Sequence, residues 1–175
     1  QYTMPHFMGY RFALFNYATK ETEGYVDFDY FKIEDKISDC RWADVCYADD
    51  ELEGHKLDIY LPDTGKSSHK VVVLIYGSAW FANNMKQNAF QVFGRSLLDK
   101  GFAVVSINHR SSRDAKFPAQ INDVKAAIRF IRANAAKYKL DTSFIGITGF
   151  SSGGHLASLA GTTNGVKSYT IGDKT

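Results

Sequence analysis

The run Gly149-Phe150-Ser151-Ser152-Gly153-Gly154 carries the spacing G-x-S-x-G. That spacing suits nucleophilic acyl transfer. A sharp strand-to-helix turn sets a serine hydroxyl at its apex, and the flanking glycines let neighbouring chain pass close. The motif alone is weak, so its surroundings must decide. The apolar run Phe144-Ile145-Gly146-Ile147-Thr148 precedes it, and the small-residue stretch Leu156-Ala157-Ser158-Leu159-Ala160 follows. Strand, turn and helix are therefore in the required order. Ser151 is the candidate nucleophile, with Gly149 and Gly153 as the residues that permit the turn. The helix beginning there aims its N–H groups and its positive dipole end at incoming negative charge. The N–H of Ser152 would be one oxyanion donor. A plain glycine-rich turn is the alternative.

Further donors are expected on a loop after an earlier buried strand. Tyr76-Gly77-Ser78-Ala79-Trp80 follows the apolar run Val71-Val72-Val73-Leu74-Ile75. Its small residues leave the N–H groups of Ser78 and Ala79 open to a ligand. Here too an ordinary glycine-containing turn is the alternative.

A serine hydroxyl is a poor nucleophile near neutral pH unless an imidazole takes its proton and an acid orients that imidazole. In a strand–turn–helix site of this kind the chain order is Ser, then Asp or Glu, then His. After Ser151 there is one histidine, His155, and one acid, Asp173. The order is reversed, and His155 lies four residues into the helix that starts at the nucleophile, where packing is the better reading. His109 follows a strand end and reads either as pocket lining or as a satisfied loop histidine. His6, His55 and His69 have no argument for the site.

The elements that must hold these residues follow from periodicity. Leu57-Asp58-Ile59-Tyr60-Leu61 alternates and stops at Pro62, which predicts a half-buried strand. Val71–Ile75, Ala103–Ile107 and Phe144–Thr148 are continuous apolar or β-branched runs, as expected of strands buried on both faces. Phe90, Phe93 and Leu97 recur at helical spacing, and Gly101 sits where a C-cap would. Pro118 opens a second helix, along which Val124, Ala127, Ile128, Ile131 and Ala135 share a face. Alternating strands and helices predict an α/β fold: a mostly parallel sheet with helices on both faces. Residues 1–50 read as an aromatic-rich arm with the first strands, including one over Tyr25–Phe31, and residues 51–175 as the main domain. The aromatic arm reads as packing material rather than a carbohydrate platform. Gly65-Lys66-Ser67 lacks the first glycine of a phosphate loop, since Tyr60 stands there.

The chain has 175 residues, 21 Lys+Arg against 19 Asp+Glu, and 45% hydrophobic residues. That is material for about one domain with its own core. The near-neutral charge excludes the footprint of a nucleic-acid binder. The longest strongly apolar run, Val71–Tyr76, is far short of a membrane span. Cys40 and Cys46 are the only cysteines; they read as free thiols or one small disulfide loop. No His/Cys spacing suggests a metal, and no cofactor is expected. The chain begins Gln1-Tyr2, which leaves open whether a targeting peptide has been removed.

These stretches resemble the α/β-hydrolase superfamily, in the esterase branch that includes hormone-sensitive-lipase-like enzymes. The resemblance is nearest to bacterial feruloyl and acetyl-xylan esterases. It is carried by Leu57–Pro62, Tyr76–Trp80, Phe117-Pro118-Ala119 through Asp123-Val124, and Gly149–Ala157, in family order over about residues 45–162. The family's His-Gly-Gly-Gly is here Tyr76-Gly77-Ser78-Ala79. Asn108-His109-Arg110 stands where the family has an Asp-Tyr-Arg-like stretch. The resemblance implies that Arg110 pairs with Asp123 to anchor the second helix. It also implies a serine carboxylic-ester hydrolase acting on a small ester or an esterified plant polysaccharide, secreted or periplasmic. The base and acid would lie beyond Thr175 or on another chain, making these residues the N-terminal portion of a longer enzyme lacking the C-terminal strands. A non-catalytic hydrolase scaffold that binds a partner is the rival, and a peptidase on the same fold is a third possibility.

Overall fold

The structure is a computed structural model that describes residues 40–169. All of them belong to one compact unit, Lys36–Thr175. The aromatic arm, the strand over Tyr25–Phe31, His6 and Asp173 lie outside the described residues.

Among the described residues five strands form one sheet: β1 (Cys40–Cys46), β2 (Lys56–Tyr60), β3 (His69–Ile75), β4 (Ala103–Ile107) and β5 (Leu140–Gly149). Their spatial order is β1-β2-β4-β3-β5. The three apolar runs pair in parallel, β4 with β3 and β3 with β5. β1 and β2 extend the sheet with antiparallel pairings. The sheet is therefore mixed, and its parallel part carries the loops of interest.

Side chains alternate along β3, so its two faces feed two cores. Val71, Val73 and Ile75 pack with Ile121, Val124, Ala127 and Ile131 of α3 (Ala119–Ala133) and with Leu156 of α4 (Ser152–Thr162). Val72 and Leu74 pack on the other face with Ala89, Phe90 and Leu98. Each fully buried Val, Ile or Leu stabilises the fold by about 1.5–3 kcal/mol. Helices thus cover both faces, as the apolar runs require.

Three expectations change in the details. The helix expected around Phe90 consists of α1 (Lys86–Ala89), a π turn over Phe90–Gly94, and α2 (Arg95–Asp99). The wider turn shifts the phase, so Leu98 is buried where Leu97 was expected. Gly94 lies under the Phe90 ring, where a Cβ would collide, and that ring stacks on Tyr60. β2 is not half-buried. It is flanked by β1 and β4, and Asp58 is 2% exposed. Its carboxylate is tolerated there because the Asp44 N–H donates to it at 2.8 Å and Lys86 Nζ lies 3.3 Å away. Burial alone would lower the Lys86 pKa, but the Asp44 and Asp58 carboxylates hold it above the usual lysine value.

The third correction concerns β5. Among the described residues only β3 pairs with it. Phe144 is 45% exposed, and Ile145 and Ile147 are only partly covered. A strand at a sheet edge cannot bury both faces as an interior strand does. Cys40 and Cys46 sit at opposite ends of β1 and are free. Six residues of extended chain separate them by about 20 Å, too far for a disulfide.

Candidate active site

Strand register sets the level of the site. Ile75 pairs with Ile107 on one side and with Gly149 on the other. The chain therefore leaves β3, β4 and β5 at one height. The loops beginning Tyr76, Asn108 and Phe150 stand side by side at the C-terminal ends of parallel strands. Such ends are where open α/β sheets bind ligands.

Ser151 occupies the apex of the β5–α4 turn with φ 52 and ψ −127. A non-glycine residue in this region carries strain of about 1–3 kcal/mol. The turn is enforced by close packing beneath it. A Cβ on Gly149 would lie 2.6 Å from the Ile75 carbonyl oxygen, and one on Gly153 would collide with the carbonyls of Ile75 and Tyr76. The Gly153 N–H donates to the Phe150 carbonyl at 2.9 Å. Helix α4 starts at Ser152, so its N-terminal end lies beside the exposed Ser151 side chain.

The β3 loop packs directly on this turn. A Cβ on Gly77 would meet the Phe150 carbonyl oxygen at 2.5 Å and the Ser151 Cβ at 2.7 Å. Gly77 was not singled out in the sequence; its position directly after a buried strand and its last core residue was the available sign. Ala79 and Trp80 both have positive φ, 49 and 62, in a region that side chains with a Cβ normally avoid. The Phe81 N–H closes the turn on the Ser78 carbonyl at 2.9 Å, and the Ser112 N–H braces the Trp80 carbonyl at 2.7 Å.

One expected donor is already engaged. The Ser78 N–H donates to the Ser152 hydroxyl oxygen at 2.9 Å. It was expected to be open to a ligand. Ser152 is 3% exposed, and its hydroxyl sits between the two loops as the acceptor of this part-buried N–H. Ser152 opens helix α4 directly after the apex, and Ala79 follows Ser78 on the β3 loop.

None of the described histidines takes up a base's position over Ser151. His155 is exposed on α4, with its ring edge-on to Trp80 at 5.4 Å. His109 is fully buried and stacks on Tyr76 at 4.7 Å. Its Nδ1 bonds the Arg110 carbonyl at 2.9 Å, while its Nε2 has no partner. Burial pushes its pKa below the ordinary 6.5. It is a buried loop histidine, satisfied at Nδ1 but not at Nε2.

The Arg110–Asp123 pair forms as the resemblance implied. Arg110 donates from Nε, from Nη2 at 2.5 Å and from its backbone N–H at 2.8 Å. His55, for which the sequence offered no role, completes the cluster. Its Nε2 lies 3.2 Å from Asp123, and its Nδ1 lies 2.7 Å from Asp50. Burial would raise the Asp123 pKa, but His55 and Arg110 hold the carboxyl below its usual range. This cluster fixes α3 to the loop after β4. No group of three His, Cys, Asp or Glu among the described residues is arranged to hold a metal.

The BD-FAE family model matches residues 57–173. Among curated relatives, the chain is 42% identical over 90 residues to Esterase LipQ of Mycobacterium tuberculosis, covering 51% of this chain and 21% of that protein. It is 35% identical to Esterase LipC of the same organism, covering 68% and 29%. Among solved structures, a bifunctional GH43-CE protein of Bacteroides eggerthii is 91% identical with a TM-score of 0.73, covering 99% of this chain and 24% of that one. A truncated carbohydrate esterase from gut microbiota is 65% identical with a TM-score of 0.71, covering 72% and 44%. The chain thus spans less than half the length of each of these proteins.

Proposed function

The chain belongs to the BD-FAE family, an α/β-hydrolase esterase family, and from that premise we propose that the protein is a serine carboxylic-ester hydrolase acting on esterified carbohydrate. The observation that carries this reading is the backbone of Ser151. A strained, exposed serine at the head of a helix is costly to stability and useful for nucleophilic attack.

In this reading the Ser151 oxygen attacks the ester carbonyl and forms a tetrahedral oxyanion. The Ser152 and Ala79 N–H groups donate to it, joined by Ser78 when its bond to the Ser152 hydroxyl gives way. A charged acceptor competes well there, because bonds to an ionised oxygen are roughly twice as strong as neutral ones. The ester C–O bond then breaks, the alcohol leaves with the proton that Ser151 gave up, and water hydrolyses the acyl-enzyme. The base that carries the proton and the acid that orients it are assigned to sequence outside these 175 residues. The share of each relative that the chain covers supports that assignment. Acetyl or feruloyl groups on plant polysaccharide are the substrates we propose. The carbohydrate-esterase neighbours support the carbohydrate part of that proposal.

The test is hydrolysis of p-nitrophenyl acetate and of acetylated and feruloylated xylo-oligosaccharides by the complete protein and by its Ser151→Ala variant. Loss of turnover in the variant supports the reading. One observation favours a non-catalytic scaffold instead: the Ser78 N–H is already held by Ser152. Failure of a fluorophosphonate to label the complete protein would support that rival.

A further inference from the structure

The loop that carries the Ser78 and Ala79 N–H groups is closed at its base by one side chain. Tyr76, fully buried, directs its hydroxyl at the Ala82 carbonyl at 3.0 Å and at the His109 carbonyl at 3.3 Å. The first bond spans residues 77–81 and ties the two ends of the loop together. The second fixes those ends to the chain leaving β4. The phenol ring lies flat on the His109 imidazole, 4.7 Å between centroids and 14° from parallel. His109 is anchored in turn through Nδ1 to the Arg110 carbonyl.

The loop needs such a brace. Ala79 and Trp80 hold left-handed backbone without being glycine, a conformation that persists only when its surroundings impose it. Gly77 packs on the Phe150 carbonyl and the Ser151 Cβ, so a shift of the loop base is transmitted to the distance between the oxyanion donors and the nucleophile. We propose that Tyr76, stacked on His109, is a positioning residue that sets the Ser78 and Ala79 N–H groups at the height of the oxyanion formed on Ser151. This inference rests on the ester-hydrolase reading above and adds to it a residue that touches no substrate.

Oxyanion donors act through geometry fixed before reaction, and removal of one costs about 10²–10³ in kcat. The variant Tyr76→Phe keeps the ring and its stack but removes the hydroxyl. In the complete protein it is expected to lower kcat on p-nitrophenyl acetate by about 10- to 100-fold, with KM changed by less than about twofold. Affinity for a trifluoromethyl ketone, which mimics the tetrahedral state, should fall by the same factor. Rates are taken per site titrated with a fluorophosphonate, so partial unfolding does not count as lost catalysis. A Tyr76→Phe protein with a lower Tm but unchanged kcat per titrated site overturns the proposal. Should that variant not fold, His109→Ala and His109→Phe provide the second reading. The alanine is expected to lower kcat, and the phenylalanine, which restores a stacking ring, to recover most of it. Equal kcat in all three His109 forms also overturns it. An unlabelled, inactive parent protein overturns the ester-hydrolase reading itself, and this inference with it. An active parent with unaffected variants overturns the positioning role alone.

Discussion

The backbone N–H of Ser78 donates to the side-chain oxygen of Ser152 at 2.9 Å, so the residue after the turn apex ties the two loops of the site together. The bond gives a part-buried N–H its acceptor at rest. It also withholds that N–H from a substrate oxygen until the bond is exchanged. Replacing Ser152 by alanine removes the acceptor of a part-buried N–H, which costs about 0.5–1.5 kcal/mol. Because Tyr76 braces the same loop from its base, the Ser152→Ala protein should lose stability in urea unfolding while keeping kcat/KM within about twofold. A parallel collapse of kcat/KM per titrated site would instead make the Ser152 hydroxyl part of the catalytic geometry.

Strain at Ser151 predicts a gain in stability on its removal. At φ 52 and ψ −127, glycine is the one residue that fits without steric cost. Ser151→Gly should unfold about 1–2 kcal/mol later than Ser151→Ala, with both inactive. Equal stabilities would show that the turn holds no strain that its side chain causes.

The contact between the loops has its own prediction. A Cβ on Gly77 would lie 2.5 Å from the Phe150 carbonyl oxygen and 2.7 Å from the Ser151 Cβ. Both neighbours are held by β5 and α4, so the loop bearing Ser78 and Ala79 must yield. Gly77→Ala should cost about 2–4 kcal/mol and at least about 100-fold in kcat/KM on p-nitrophenyl acetate. A Gly77→Ala enzyme of normal activity would mean that this loop contributes no donor.

The buried cluster of His55, Asp123, Arg110 and Asp50 gives a pH dependence. Burial lowers the His55 pKa, but hydrogen bonds and charge from Asp123 and Asp50 outweigh it and hold the value above its ordinary 6.5. A raised histidine contributes stability that is complete below about pH 6.5 and fades as pH rises through the folded value. Asp123 is held below its ordinary 3.8, so its contribution is present above about pH 4 and fades in acid. The two overlap between about pH 4.5 and 6.5. His55→Gln should therefore destabilise the protein most near pH 5.5 and least near pH 9, by roughly 1–3 kcal/mol at the larger end. A loss that is the same at both pH values would show that His55 is neutral in the folded protein.

Much of this arrangement was legible in the residues, and what was not has physical reasons. Val71–Ile75 and Ala103–Ile107 read as interior strands because β-branched runs without polar breaks have no solvent face to serve. Phe144–Thr148 has the same composition but lies at an edge among the described residues, and composition does not encode a strand's neighbours. Asp58 looked like a solvent residue in an alternating strand. Its burial depends on Lys86, 28 residues away, and no local pattern reveals that partner. The π turn at Phe90–Gly94 moved burial from Leu97 to Leu98 through one extra residue in a turn, which the 3.6-residue period does not foresee. At the site, the G-x-S-x-G spacing indicated the turn. The engagement of Ser78 by Ser152 was not visible, since it requires knowing that β3 and β5 are adjacent and end at the same level.

The central claim is that Ser151 attacks the ester. It is tested most directly by treating the complete protein with a fluorophosphonate and locating the adduct by peptide mass spectrometry, with hydrolysis of p-nitrophenyl acetate followed in parallel. The expected result is a single adduct on Ser151, no adduct in Ser151→Ala, and a fall in kcat of at least about 10³-fold in that variant. Full turnover by Ser151→Ala, or an adduct on another residue of an active protein, would contradict the account.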